Sequence, residues 1–280
     1  MQTISAPVWL AFGLLGLSII SLAWDKRYLC LGLCAAAVAA GMAGGALRPV
    51  ALASIGALFL LAWLATNLGK PATRTVFTVL ALALSLALAM HALPGYHNPL
   101  LLKNVQFSSH SAPFTMYANF DKGLIGLVLV FFFCQRAQSW KDYSSACWQQ
   151  APVLAVMLLA VFGLGWGLGF VKPDFKLSLY LPLFAVVNLL FVCVAEEAFF
   201  RGVIQEQLTR FGQPLAVAAS ALLFGLVHLG GGWKWALLAS VAGLGYALLY
   251  ARTRRVGIAV AAHFLVNLVH FIGFTYPQAI

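Results

Sequence analysis

The sequence predicts an all-α fold, a polytopic transmembrane bundle of about ten helices. Of its 280 residues 62% are hydrophobic and only 9% are charged, against about 25% charged in ordinary soluble domains. The mean hydropathy is +0.93, and the apolar residues fall into runs near the length of about 20 that a helix needs to cross the hydrocarbon core. Inside lipid every backbone N–H and C=O must be paired within the protein, so only helices or closed barrels can span. The runs are rich in Leu, Ala, Gly and Val and lack period-two alternation, which selects helices.

Taken in order, helices are expected at residues 8–24, 28–46, 49–67, 75–92, 121–135, 151–170, 178–204, 214–230, 235–251 and 256–274. The first has no basic stretch before it and is followed by Asp25, Lys26 and Arg27 instead of a small-residue cleavage site, so it reads as a retained helix. The longest connection, 94–120, is polar and holds Pro94, Pro99 and Pro113; it is expected to be an extracytoplasmic loop. The G-x-x-x-G spacings at Gly41–Gly45, Gly163–Gly167 and Gly165–Gly169 suit close helix contact within the bundle. No repeat or linker divides the chain into independently folding parts.

The net charge of +10 comes from basic residues scattered singly between apolar spans. That pattern fits membrane topology and not a nucleic-acid surface. Assigning loops alternately to two sides groups eleven of the 17 Lys and Arg residues, including Arg136, Lys141, Arg252, Arg254 and Arg255, on one side. The positive-inside rule makes that side cytoplasmic and places both termini outside. The five cysteines, Cys30, Cys34, Cys134, Cys147 and Cys193, have neither zinc-ligand nor disulfide-framework spacing and read as packing residues.

Ionisable groups within a membrane span are costly and are normally turned inward, so chemistry is sought there. The densest group is Glu196, Glu197 and Arg201, followed by His228 and then by His263 and Asn267. Adjacent helical residues point about 100° apart, so Glu196 and Glu197 face different neighbours. Arg201, four residues after Glu197, suits an ion pair with it, which leaves Glu196 for the bundle interior and general-base work. His228 is placed to share a water with Glu196. His263 and Asn267 lie one turn apart on one face and can donate two hydrogen bonds to one oxygen, as an oxyanion requires.

Each cluster has a packing explanation as well: a surface ion pair where a helix emerges, a buried hydrogen-bonded histidine, interhelical hydrogen bonds. His270, His91, His97 and His110 are read as packing or loop residues. Three polar clusters in successive C-terminal helices are harder to account for by packing. For Glu196 to reach the depth of His228, its helix must continue through Ile204 into an amphipathic segment ending near Arg210.

These residues form three ordered motifs: Glu196-Glu197-x-x-x-Arg201, Phe224-x-x-x-His228 and His263-x-x-x-Asn267. The sequence over about 178–274 thereby resembles the CPBP family, which comprises CAAX prenyl endopeptidases, bacterial Abi-like proteins and bacteriocin-processing relatives. The resemblance implies a glutamate-dependent intramembrane endopeptidase with no cofactor, in which Glu196 and His228 activate water while His263 and Asn267 stabilise the oxyanion. It further implies that Glu197, Arg201 and Phe224 support the site, with Glu197 and Arg201 helping to seat substrate. On this reading residues 178–280 are the protease core and 1–177 an N-terminal transmembrane region. The expected partners are the lipid bilayer and a peptide or membrane-protein substrate, in a bacterial plasma membrane, with no nucleic acid. Two rival classes are a zinc-dependent membrane protease, which would use Glu196, His228 and His263 as ligands without any H-E-x-x-H helix, and a non-catalytic transporter or immunity protein.

Overall fold

In the computed structural model, residues 4–135 and 140–280 are described. Arg136, counted among the cytoplasmic cations, lies outside them. Every helical segment expected from the sequence is present: α1 (Ala6–Ala23), α2 (Arg27–Ala43), α3 (Ala51–Asn67), α4 (Pro71–Ala89), α5 (Phe120–Phe133), α7 (Ala151–Gly167), α8 (Leu181–Phe211), α9 (Gln213–Leu226), α10 (Trp233–Thr253) and α11 (Val256–Gly273). Proline stands in the first turn of α1, α4, α7, α8 and α9, where its missing N–H costs no helical bond and its fixed φ favours initiation.

Two elements depart from the sequence expectation. The connection at 94–120 is not all loop: it holds a two-stranded sheet of β1 (Leu100–Val105) and β2 (Phe114–Tyr117). Runs of six and four residues are too short for their alternation to stand out beside three prolines. An additional helix, α6 (Trp140–Gln149), precedes α7 and meets it at a 54° bend. Among the described residues, α1, α4, α8, α10 and α11 are long and apolar enough to cross a membrane, and the bent α6–α7 pair makes a sixth if taken as one span. The protein is a multi-pass helical membrane protein.

The chain forms two compact units. The first comprises Met1–Leu101, Met116–Cys134 and Leu190–Phe199. Here α1 packs along α2 and against α5, while α3 and α4 pair with each other and with α5. Phe12 meets Phe120 and Phe191 edge-on at 5.5 and 5.6 Å. Gly126 of α5 lies so close to α8 that an added Cβ would meet the Ala195 backbone nitrogen at 3.0 Å. A bare glycine thus lets α5 approach the turn that carries Glu196 and Glu197. At the N-terminus of α5, Asp121 is 1% exposed. Its carboxylate accepts from His91 Nδ1 at 2.6 Å, from Asn98 Nδ2 and from the Lys122 N–H, complementing the positive end of the helix.

The second unit comprises Leu102–Thr115, Gln135–Leu189 and Phe200–Ile280. It is built on α10, which packs against α9, α7 and α11. Gly225 of α9 admits the close crossing, since a Cβ there would lie 1.8 Å from Ser240 Oγ and 2.7 Å from the Ala236 carbonyl. Lys234 at the start of α10 donates to the Leu168 carbonyl at the end of α7, satisfying an orphan helix-end acceptor. The segment after α11 is tied back through Thr275 N–H to the Lys172 carbonyl, Ala279 N–H to Phe170 and Ala112 N–H to the Gln278 carbonyl. Of the G-x-x-x-G glycines, Gly45, Gly163, Gly167 and Gly169 have open space where a Cβ would stand. Gly41 and Gly165 do meet neighbours, Leu47 and Val171, each at 3.1 Å, while the tighter Gly225 contact lies outside that spacing.

Candidate active site

The first motif is carried by α8, which runs 31 residues from Leu181 to Phe211, so the extension past Ile204 expected from the depth argument is present. Its winding is not uniform. A π-helical turn at Leu189–Cys193 and a longer π-helical stretch at Ala198–Gln205 flank the α-helical Val194–Glu197. Such turns recur at functional positions because they shift the register of side chains along a helix. The sequence reading assumed 3.6 residues per turn throughout and did not anticipate them. Glu197 is fully enclosed, whereas Glu196 is half-buried.

In the second unit, Arg201, Phe224, His228 and His263 come together with one residue the sequence did not single out, Tyr246. Arg201 is 0% exposed, donates from Nη2 to the Gly243 carbonyl at 2.9 Å, and lies over the rings of Phe224 at 4.5 Å and Tyr246 at 5.2 Å. Planar, weakly hydrated guanidinium is suited to such a bed of aromatic faces. Phe224 is the hub, with Phe200, Tyr246 and His263 edge-on to it at 5.1, 5.9 and 5.6 Å. Tyr246 stacks on the His263 imidazole at 4.8 Å with 16° between planes. Together these rings set the plane of a histidine that is 5% exposed.

His228 closes α9 as its chain turns into a short 3-10 segment. Its Nδ1 stands 2.6 Å from the Phe224 carbonyl oxygen, one turn back. A carbonyl only accepts, so Nδ1 carries the hydrogen and Nε2 is left as the basic nitrogen. The motif's spacing of four has a local reason: Phe224 supplies both the aromatic hub and the carbonyl that fixes the His228 tautomer. Asn267, one turn beyond His263 on α11, donates from Nδ2 to Oδ1 of Asn188 at 3.1 Å.

Residues outside the three motifs brace this arrangement. Gln205, 0% exposed, donates to the Ala247 carbonyl at 2.8 Å, four residues along α10 from the carbonyl that Arg201 uses. Glu206 continues the seam, accepting from Tyr250 Oη at 2.8 Å and pairing with Arg254. Asn188 carries the one sequence signal among them, a carboxamide in the apolar run LPLFAVVNLLFVCV. Tyr246 and Gln205 carry none, because an aromatic or a glutamine near a helix end has too many uses. His270, read as packing, lies tilted against Phe162, edge-on to Tyr276 and 3.2 Å from the Thr275 carbonyl.

These features define a multi-pass helical membrane protein with a cluster of enclosed polar residues in its C-terminal helices. Residues 178–269 match the family described as type II CAAX prenyl endopeptidase Rce1-like. A Bacillus subtilis (strain 168) protein named "Putative membrane peptidase YdiL" is 31% identical over 111 residues, which are 38% of this chain and 43% of that protein. The chain therefore spans less than half the length of the curated relative it matches. No solved structure matches it.

Proposed function

We propose that this protein is an intramembrane endopeptidase of the CAAX protease-like type, acting on a peptide or membrane-protein segment in a bacterial plasma membrane. The observation that carries the reading is the hydrogen bond from His228 Nδ1 to the Phe224 carbonyl, which leaves Nε2 as an acceptor for water within the segment that matches the family. In the proposed reaction one water hydrogen is held by His228 Nε2 and the other passes to Glu196 as the oxygen attacks the scissile carbonyl carbon. The oxyanion accepts from the His263 ring N–H and from Asn267 Nδ2. On collapse the C–N bond breaks, and the proton held by Glu196 goes to the leaving amine. Glu197, Arg201 and Phe224 hold the helices that present these groups, and residues 1–177 scaffold the core. No Ser or Cys nucleophile and no metal enters the scheme.

The test is terminal-amine labelling of the membrane proteome of cells producing wild type or Glu196→Gln. New N-termini are expected with wild type and a loss of about 10²–10⁴-fold with the variant, the usual contribution of a general base. Equal cleavage by both would remove Glu196 from the mechanism, and no cleavage by either would favour a non-catalytic protein. Purified activity should persist in a strong chelator. Loss on chelation and recovery with zinc would replace the scheme by a metal-dependent one.

A further inference from the structure

Asn188 stands on α8 at the last α-helical position before the π turn at Leu189–Cys193, in a run that is otherwise apolar. It is 8% exposed. A carboxamide in such a place costs several kcal/mol unless it is hydrogen-bonded, and its oxygen accepts from Asn267 Nδ2 at 3.1 Å. Asn267 and Asn188 are 79 residues apart in sequence, so this contact is made only in the assembled fold. With one Nδ2 hydrogen directed at Asn188, the amide plane of Asn267 is set, and with it the direction of the second hydrogen. An amide whose one hydrogen is already engaged by a good acceptor needs no reorientation as charge develops on substrate, which is the condition for effective oxyanion stabilisation.

We propose that Asn188 is a positioning residue for Asn267, orienting its carboxamide toward the oxyanion; this rests on the endopeptidase reading above. Removing an interaction realised only in the transition state lowers kcat and leaves KM unchanged. The test uses purified full-length protein and a peptide spanning a cleavage site found by terminal-amine labelling, with single-turnover rates read by mass spectrometry. Asn188→Leu fits an apolar span and should lose about 10–100-fold in rate with KM unchanged, a fraction of what removal of an oxyanion donor costs. Asn188→Asp keeps the acceptor and should retain activity within a few fold. In an Asn267→Leu background, Asn188→Leu should cost less than twofold more. The thermal-unfolding cycle of the two Leu variants gives the same coupling without turnover, should the Asp variant fold poorly. Full activity of Asn188→Leu, an equal loss in both backgrounds, or additive melting shifts would overturn the proposal while the peptidase reading stands. A wild-type protein that cleaves nothing would overturn both.

Discussion

Arg201 shows how a single residue's role depends on contacts that spacing does not reveal. From the sequence it is the i+4 partner of Glu197; the structure gives it a bed in α9 and α10, made by the rings of Phe224 and Tyr246 and the Gly243 carbonyl. Each desolvated cation–π contact is worth about 2 kcal/mol, and emptying a fully enclosed site of this size adds a cavity cost. Arg201→Ala should therefore lose about 3 kcal/mol or more, seen as a lower melting temperature in detergent and a reduced folded yield. Arg201→Lys should also melt lower, because an ammonium cannot lie flat between two rings. A Lys variant as stable as wild type would mean that only the charge matters. The same lesson applies to His228 and His263: their motif positions are legible in the sequence, whereas the tautomer of one and the ring plane of the other are set by a carbonyl and by Tyr246.

At the scale of elements, hydropathy is a direct record of helix length, and the expected helices form with their ends displaced by a few residues. What it does not record is winding or close approach. The π-helical stretches of α8 lie at Leu189–Cys193, which is wholly apolar, and at Ala198–Gln205, which holds Arg201 and Gln205, so no shared hydropathy pattern marks the change of winding. The polar α6 lies between apolar spans and reads as a connection. Close packing is carried by Gly225 inside the Phe224-x-x-x-His228 motif, which brings α9 onto α10. Gly225→Ala would press a methyl against Ser240 and the Ala236 carbonyl, a rigid contact that should cost about 1–3 kcal/mol and displace His228. Gly230→Ala, with open space and an ordinary φ, should melt like wild type. If both variants melted alike, the α9–α10 crossing would not depend on a bare glycine.

At the scale of the whole molecule, each compact unit is assembled from segments distant in sequence, and α8 contributes Leu190–Phe199 to one and its flanks to the other. Hydropathy cannot announce such interleaving, because it orders spans along the chain and says nothing of their neighbours. Orientation is the property of the whole chain that the charge pattern does predict, and under the proposed function it would decide on which side substrate is cut. The 21 residues of α10 cover about 31 Å at 1.5 Å per residue, the thickness of the hydrocarbon core. Its end carries Arg252, Arg254 and Arg255, so the positive-inside rule predicts that this turn is cytoplasmic. On that expectation, with α11 re-entering at Val256, His263 would be about 10 Å deep and Asn267 about 16 Å, which would put the proposed oxyanion donors in the cytoplasmic half. From the alternation of loops, the 94–120 connection is expected on the other side. In a variant lacking Cys30, Cys34, Cys134, Cys147 and Cys193, a membrane-impermeant maleimide added to intact cells should label Ser109→Cys and spare Arg252→Cys, both exposed positions, until the membrane is opened. Labelling of Arg252→Cys alone in intact cells would invert the topology and move the proposed cleavage to the outer half of the bilayer.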